Sequence, residues 1–125
     1  TWLTQHLPAG YRVRAQERVT LAGTNGRQIA IDLVLYDQHG RPLAVLDTKY
    51  KAPDRPDMND IYQVTFYAHQ QQCPAAYLIY PQALRQPVRG RNNGVAYQNL
   101  TFGLDGDIHD NGRAFLQELL PHEQA

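Results

Sequence analysis

The chain has 125 residues, 42% of them hydrophobic and 19% charged, enough for one core without disulfide or metal staples. Its 12 basic residues balance 12 acidic ones, which excludes an overall basic field, so any nucleic-acid contact has to come from a local patch. The single Cys73 excludes an intrachain disulfide framework and points to a reducing, cytoplasmic setting, and the longest apolar runs, "LAVL" and "AAYLIY", fall far short of the roughly 18 residues a membrane span needs.

The opening "TWLTQHLPAG" begins without Met, and the whole of 1–125 is expected to be one domain cut from a longer protein. In "YRVRAQERVTLAG", Tyr11, Val13 and Ala15 alternate with Arg12, Arg14 and Gln16, the pattern of a half-exposed strand. "TNGR" is a turn signal, and "QIAIDLVLYD" is apolar on both faces, as a central strand would be. "QHGR" then closes a hairpin into "PLAVLDTKYK".

"APDRP" reads as a loop. Asp57 is the expected N-cap of a helix reaching Gln72, with Asp60 as the acid of a capping box. The packing face of that helix should be Ile61, Val64, Thr65 and Ala68, and "CPAAYLIYP" resumes as a strand. A strand, a helix of roughly four turns and a strand form a crossover unit with its two strands parallel. "QALRQPVRGRNNG" reads as loop, "VAYQNLTFGL" as strand, "DGDIHD" as a turn and helix cap, and "DNGRAFLQELL" as a closing amphipathic helix. The order describes a mixed sheet in an α/β domain.

The hairpin allows a sharper inference. A loop of two residues (His39-Gly40) or of four (Gln38 to Arg41) sets Asp32 directly opposite Asp47, among Ile31, Leu33, Val34, Val45 and Leu46. Like charges facing each other destabilise a sheet, and unpaired buried carboxylates cost several kcal/mol or take up protons. A cation should therefore sit there. Lys49, on the same face as Asp47, supplies one charge, and a divalent cation with oxygen ligands would supply two. Taken alone, D-x-K is better explained by a surface ion pair; the second acid, in matching register on an apolar strand, reverses that and favours the catalytic explanation. Two acids to hold a metal and a lysine to orient a water suit phosphodiester hydrolysis.

Asp32, Asp47 and Lys49 on a hairpin followed by a helix and a strand resemble the PD-(D/E)XK nuclease superfamily, with Ile31 in place of the signature's proline. Gln63 and Tyr67 in "QVTFY" fit the Q-x-x-x-Y motif of the RecB-like branch, on a helix face with Asn59 and Gln70, away from Ile61. More narrowly, "LDTKYK", "NDIYQVTFYA" and "YLIYP" resemble the nuclease domain of the McrC family, the cleaving subunits of McrBC 5-methylcytosine restriction systems. The resemblance implies a restriction-endonuclease-like mixed β-sheet flanked by helices, and DNA cleavage dependent on Mg²⁺ or Mn²⁺. It also implies the Thr48 carbonyl as a further metal ligand, Gln63 and Tyr67 as supports of the site, and a GTP-driven AAA+ motor subunit as partner. Family members carry an additional acid on an initial helix. No helix is expected before Tyr11, so that acid either lies outside the chain or is replaced by Glu17.

Arg85, Arg89 and Arg91, with Asn92 and Asn93, are candidates for DNA-phosphate contacts from a loop, or are simply solvated. The five histidines show no metal-ligand spacing, and there is no phosphate-binding G-x-x-x-x-G-K-[ST] loop. Competing functions are a RecB-like exonuclease, a catalytically silent nucleic-acid-binding or assembly domain of the same fold, and an interaction module in which D-x-K is a surface ion pair.

Overall fold

Neighbouring apolar residues in the middle strands have to point to opposite sides of a sheet, because strand side chains alternate, so both faces must be covered. A computed structural model of the chain describes residues 5–20, 28–49, 52–103 and 106–120, with side chains for 5–14, 33–49, 52–103 and 106–120. Strands β1 (Arg12–Thr20), β2 (Gln28–Tyr36), β3 (Pro42–Thr48), β4 (Ala75–Tyr80), β5 (Arg89–Asn92) and β6 (Val95–Thr101) form one sheet in the order β1-β2-β3-β4-β6-β5. Helix α1 (Met58–Gln70) connects β3 to β4, and α2 (Ile108–Leu119) follows β6. The pairs β1–β2, β2–β3 and β5–β6 are antiparallel, whereas β3–β4 and β4–β6 are parallel. This is an α/β fold with a mixed six-stranded sheet, consistent with a restriction-endonuclease-like architecture.

On one face Val34, Val45, Ala76 and Leu78 meet Ile61, Val64, Tyr67 and Ala68 of α1. On the other, Leu35, Leu46, Ile79 and Leu100 meet Phe115, Leu116 and Leu119 of α2. Each buried Val, Leu, Ile or Phe side chain among these contributes about 1.5–3 kcal/mol, which makes β2, β3 and β4 the fixed frame from which any site at their ends is presented.

The register of β2 and β3 is the expected one, with Leu33, Val34 and Leu35 opposite Leu46, Val45 and Ala44, but it arises differently. The Asp37 N–H donates to the Arg41 carbonyl at 2.9 Å and the Gly40 N–H to the Asp37 carbonyl at 3.0 Å. The loop is therefore Gln38, His39 and Gly40, with Gly40 in the left-handed region at φ 76°, as three-residue hairpins require. Tyr36 then pairs with Pro42, and Leu43 is the extra residue of a bulge that restores the register.

Asp57 caps α1 as expected, its Oδ1 accepting the Asn59 N–H at 2.7 Å. The helix ends where Gln72 turns left-handed at φ 59°, with the Gln72 and Cys73 N–H groups donating to the carbonyls of His69 and Ala68, a Schellman closure. Three expectations are corrected. Gln5 and His6 are helical ahead of Tyr11, where no helix is expected. The segment read wholly as loop contains β5, turned into β6 by Asn93 and Gly94 at φ 52° and 79°, the signature of a type I′ hairpin. Tyr67, assigned to the polar face of α1, is 3% exposed and belongs to the core.

Candidate active site at the end of β3

Strand β3 runs from core to cleft. Ala44, Val45 and Leu46 are buried, Asp47 and Lys49 are half-buried and Thr48 is exposed. The parallel ladder continues to Lys49, whose N–H donates to the Ile79 carbonyl at 2.8 Å, so the lysine's backbone is held as firmly as a strand residue's. Since successive backbone groups of a strand point to alternate neighbours, the Thr48 carbonyl is turned toward β2.

Asp47 and Lys49, two residues apart, share the face covered by α1. The Lys49 Nζ lies 3.1 Å from Asp47 Oδ2 and 3.4 Å from Asp60 Oδ1, on the first turn of α1. Burial would drive the proton off Lys49, but the Asp47 carboxylate, and after it Asp60, outweigh that and raise its pKa above the ordinary lysine value. Lys49 is thus an ammonium at neutral pH, shared between two carboxylates. Beside it lies a cleft of about 740 Å³ lined by Lys49, Pro53, Arg55, Asp57, Asp60 and Tyr80, among others. It opens at the carboxyl ends of the parallel strands β3 and β4, where open α/β sheets bind ligands. Tyr80, 2% exposed, has its pKa pushed up to about 12, by burial first and then by the Asp60 charge, so its phenol stays neutral.

Asp32 belongs to β2, and the register of that strand, carried one residue beyond Leu33, sets position 32 across from Asp47. Its side chain lies outside the described residues, as does that of Glu17, whose backbone on β1 pairs with Ile31. Gln63 and Tyr67 are not displayed together: Gln63 is exposed, while Tyr67 is buried against the sheet. Arg85 is exposed, with Nε 3.9 Å from Asp54 Oδ1. Arg89 and Arg91 project from β5 into a shallow groove of about 410 Å³ with Tyr77, Tyr97 and Gln98. Asn92, the residue after Arg91 and so on the opposite face of β5, donates instead to Thr65 of α1 at 3.0 Å. Arg89 and Arg91 consequently face away from α1, on the opposite side of the sheet from Asp47 and Lys49.

The sequence marks Asp60 only as a helix-cap acid and gives Tyr80 no distinguishing signal. The signal for Asp60 was its place in the first turn of the helix that follows D-x-K; nothing in the spacing told which way its side chain turned. Among the described residues, no three His, Cys, Asp or Glu side chains group as a metal cage would.

A family model for McrBC 5-methylcytosine restriction system components matches residues 1–81, the stretch from the N-terminus through α1 and β4. No curated protein matches the chain.

Proposed function

The chain belongs to the family of McrBC 5-methylcytosine restriction system components, and from that membership we propose that it is the cleavage module of such a system, a PD-(D/E)XK-type deoxyribonuclease dependent on Mg²⁺ or Mn²⁺. The observation that carries the reading is the junction of Asp47 and Lys49 at 3.1 Å, at the mouth of a cleft beyond the carboxyl end of β3.

The donor set fits a hard cation. It is all oxygen: the Asp47 carboxylate and the Thr48 carbonyl, with Asp32 as the second acid the family resemblance implies. Magnesium commonly takes one or two carboxylates and keeps several waters rather than entering an all-protein cage. The two carboxylates on a single ammonium leave the cleft locally acidic, which favours a cation further. When bound, the ion offsets charge on the phosphoryl oxygens and makes a water more acidic.

The remaining work falls to the chain. Asp47, mounted on a strand whose preceding residues are core, holds its carboxylate in one place. Lys49, protonated at neutral pH, donates to the attacking water or to a nonbridging phosphate oxygen, and so orients the water and offsets developing charge. Tyr67 supports the sheet beneath the site through packing, and Gln63 meets solvent or DNA from the outer face of α1. Arg89 and Arg91 hold DNA phosphates or the partner on the far face of the sheet, and Arg85 does so from its loop. The partner expected from the family is a GTP-driven AAA+ motor subunit that supplies recognition.

The test uses supercoiled plasmid with Mg²⁺ or Mn²⁺, with and without the AAA+ motor subunit. Asp47→Asn and Lys49→Ala should each lower cleavage by about a hundredfold or more without altering the circular dichroism spectrum, and chelation should abolish cleavage. Wild-type rates in Asp47→Asn would overturn the assignment. DNA binding with no cleavage in any assembly, and no Mn²⁺ binding by calorimetry that differs between wild type and Asp47→Ala, would instead identify a silent DNA-binding domain of the same fold.

A further inference from the structure

A lysine that orients a water needs a partner that remains when the metal arrives. Asp47 is an unsuitable sole partner, because a carboxylate committed to a divalent ion has less charge to offer an ammonium. Asp60 is the other carboxylate within reach, its Oδ1 3.4 Å from the Lys49 Nζ. It comes from a different element, so its distance from Lys49 does not depend on the end of β3 alone.

An acid in the first turn of a helix is often explained by the macrodipole or by a capping box. Neither accounts for where Asp60 points. The capping of α1 is carried by Asp57, and the Asp60 side chain turns across the cleft to the lysine. It is fixed there from below: Ile61, the next residue, is 1% exposed and packed in the α1 core, and Val64, one helical turn beyond Asp60, is equally buried. The buried Tyr80 ring lines the cleft beside both charges.

We propose that Asp60 is the positioning residue of the site: its carboxylate holds the Lys49 ammonium in place while Asp47 is engaged by the ion. The inference rests on the nuclease reading for its consequence in cleavage, but the Asp60–Lys49 contact can be tested without it. The arrangement also assigns α1 a second task besides packing, since the helix delivers the carboxylate that keeps the end of β3 in working order.

Two measurements on Asp60→Asn and Asp60→Glu test the proposal. In the first, acylation of Lys49 by an amine-reactive reagent at fixed pH is followed by mass spectrometry in the metal-free protein. Asp60→Asn should label Lys49 severalfold faster than wild type, and Asp60→Glu should label it at close to the wild-type rate. In the second, metal-dependent cleavage is measured: Asp60→Asn should lower kcat by about tenfold to a hundredfold, the usual cost of losing a residue that orients another, with KM for DNA within about twofold, and Asp60→Glu should recover part of the loss. Unchanged Lys49 labelling and unchanged kcat in Asp60→Asn would overturn the proposal. Should wild type and Lys49→Ala alike fail to cut DNA in every assembly, the nuclease reading falls, and the labelling result alone decides whether Asp60 holds Lys49.

Discussion

At the scale of single residues, the end of β3 shows how a strand passes from core to chemistry. Leu46 is fully buried, and its successor Asp47 turns to the other face, where the cover provided by α1 runs out. Tyr80 makes the same passage at the end of β4 with a different outcome. Its ring is buried, and its hydroxyl is enclosed without a hydrogen-bond partner among the described residues. An enclosed hydroxyl that has given up water and gained nothing costs about 1–3 kcal/mol. Tyr80→Phe should accordingly stabilise the fold by about 1 kcal/mol, read as a higher urea midpoint with unchanged slope. A lower midpoint would mean that the hydroxyl has a role in the folded state.

Among the elements, the β2–β3 hairpin is where local chemistry has the most influence on the site, because its loop sets the register that pairs Leu33 with Leu46, the residues next to Asp32 and Asp47. The Asp37 carboxylate organises that loop by accepting the N–H groups of His39 and Arg41 at 2.8 and 2.9 Å. The Arg41 N–H, and with it the His39 N–H, hold the Asp37 carboxyl below its ordinary value of 3.8, although burial works against them. A carboxyl with a lower pKa in the folded chain than in the unfolded one adds stability at pH above the unfolded value. That stability is lost as the pH falls through the folded value. Asp37→Asn should therefore be less stable than wild type at neutral pH, and the gap in urea midpoint should narrow as the pH drops below 3.8. A gap that persists unchanged in acid would show that the charge of Asp37 plays no part. The β5–β6 hairpin teaches the complementary lesson: Asn93-Gly94 is a strong turn signal, yet arginines on one side of a four-residue edge strand look like a loop when periodicity is the only guide.

For the whole molecule, stability depends on covering both faces of a sheet whose inner strands have no polar side. Phe115 is the largest α2 side chain in its layer, 1% exposed and 5.3 Å from the ring of Phe102 between centroids. Phe115→Ala should cost about 3–5 kcal/mol in chemical denaturation; a loss under about 1 kcal/mol would mean that the α2 layer contributes little to the core. Much of this architecture was legible in the chain. Apolar pairs such as Val34-Leu35 and Val45-Leu46 require a strand covered twice, the Asp57 cap and the Ile61, Val64, Ala68 spacing require a helix, and a helix between two buried strands requires them to run parallel. These are local properties, decided by side-chain period and by backbone capping. The candidate site was legible only where covalent connection does the placing: Asp47 and Lys49 share a face because they are two residues apart on a strand. That Asp60 reaches Lys49, that Tyr80 walls the cleft, that Tyr67 turns inward and that Arg89 and Arg91 lie on the far side were decided by how α1 and β5 pack on the sheet. Such contacts join different elements of the fold, and their partners are selected by shape and burial in the folded core, quantities that no spacing between residues encodes.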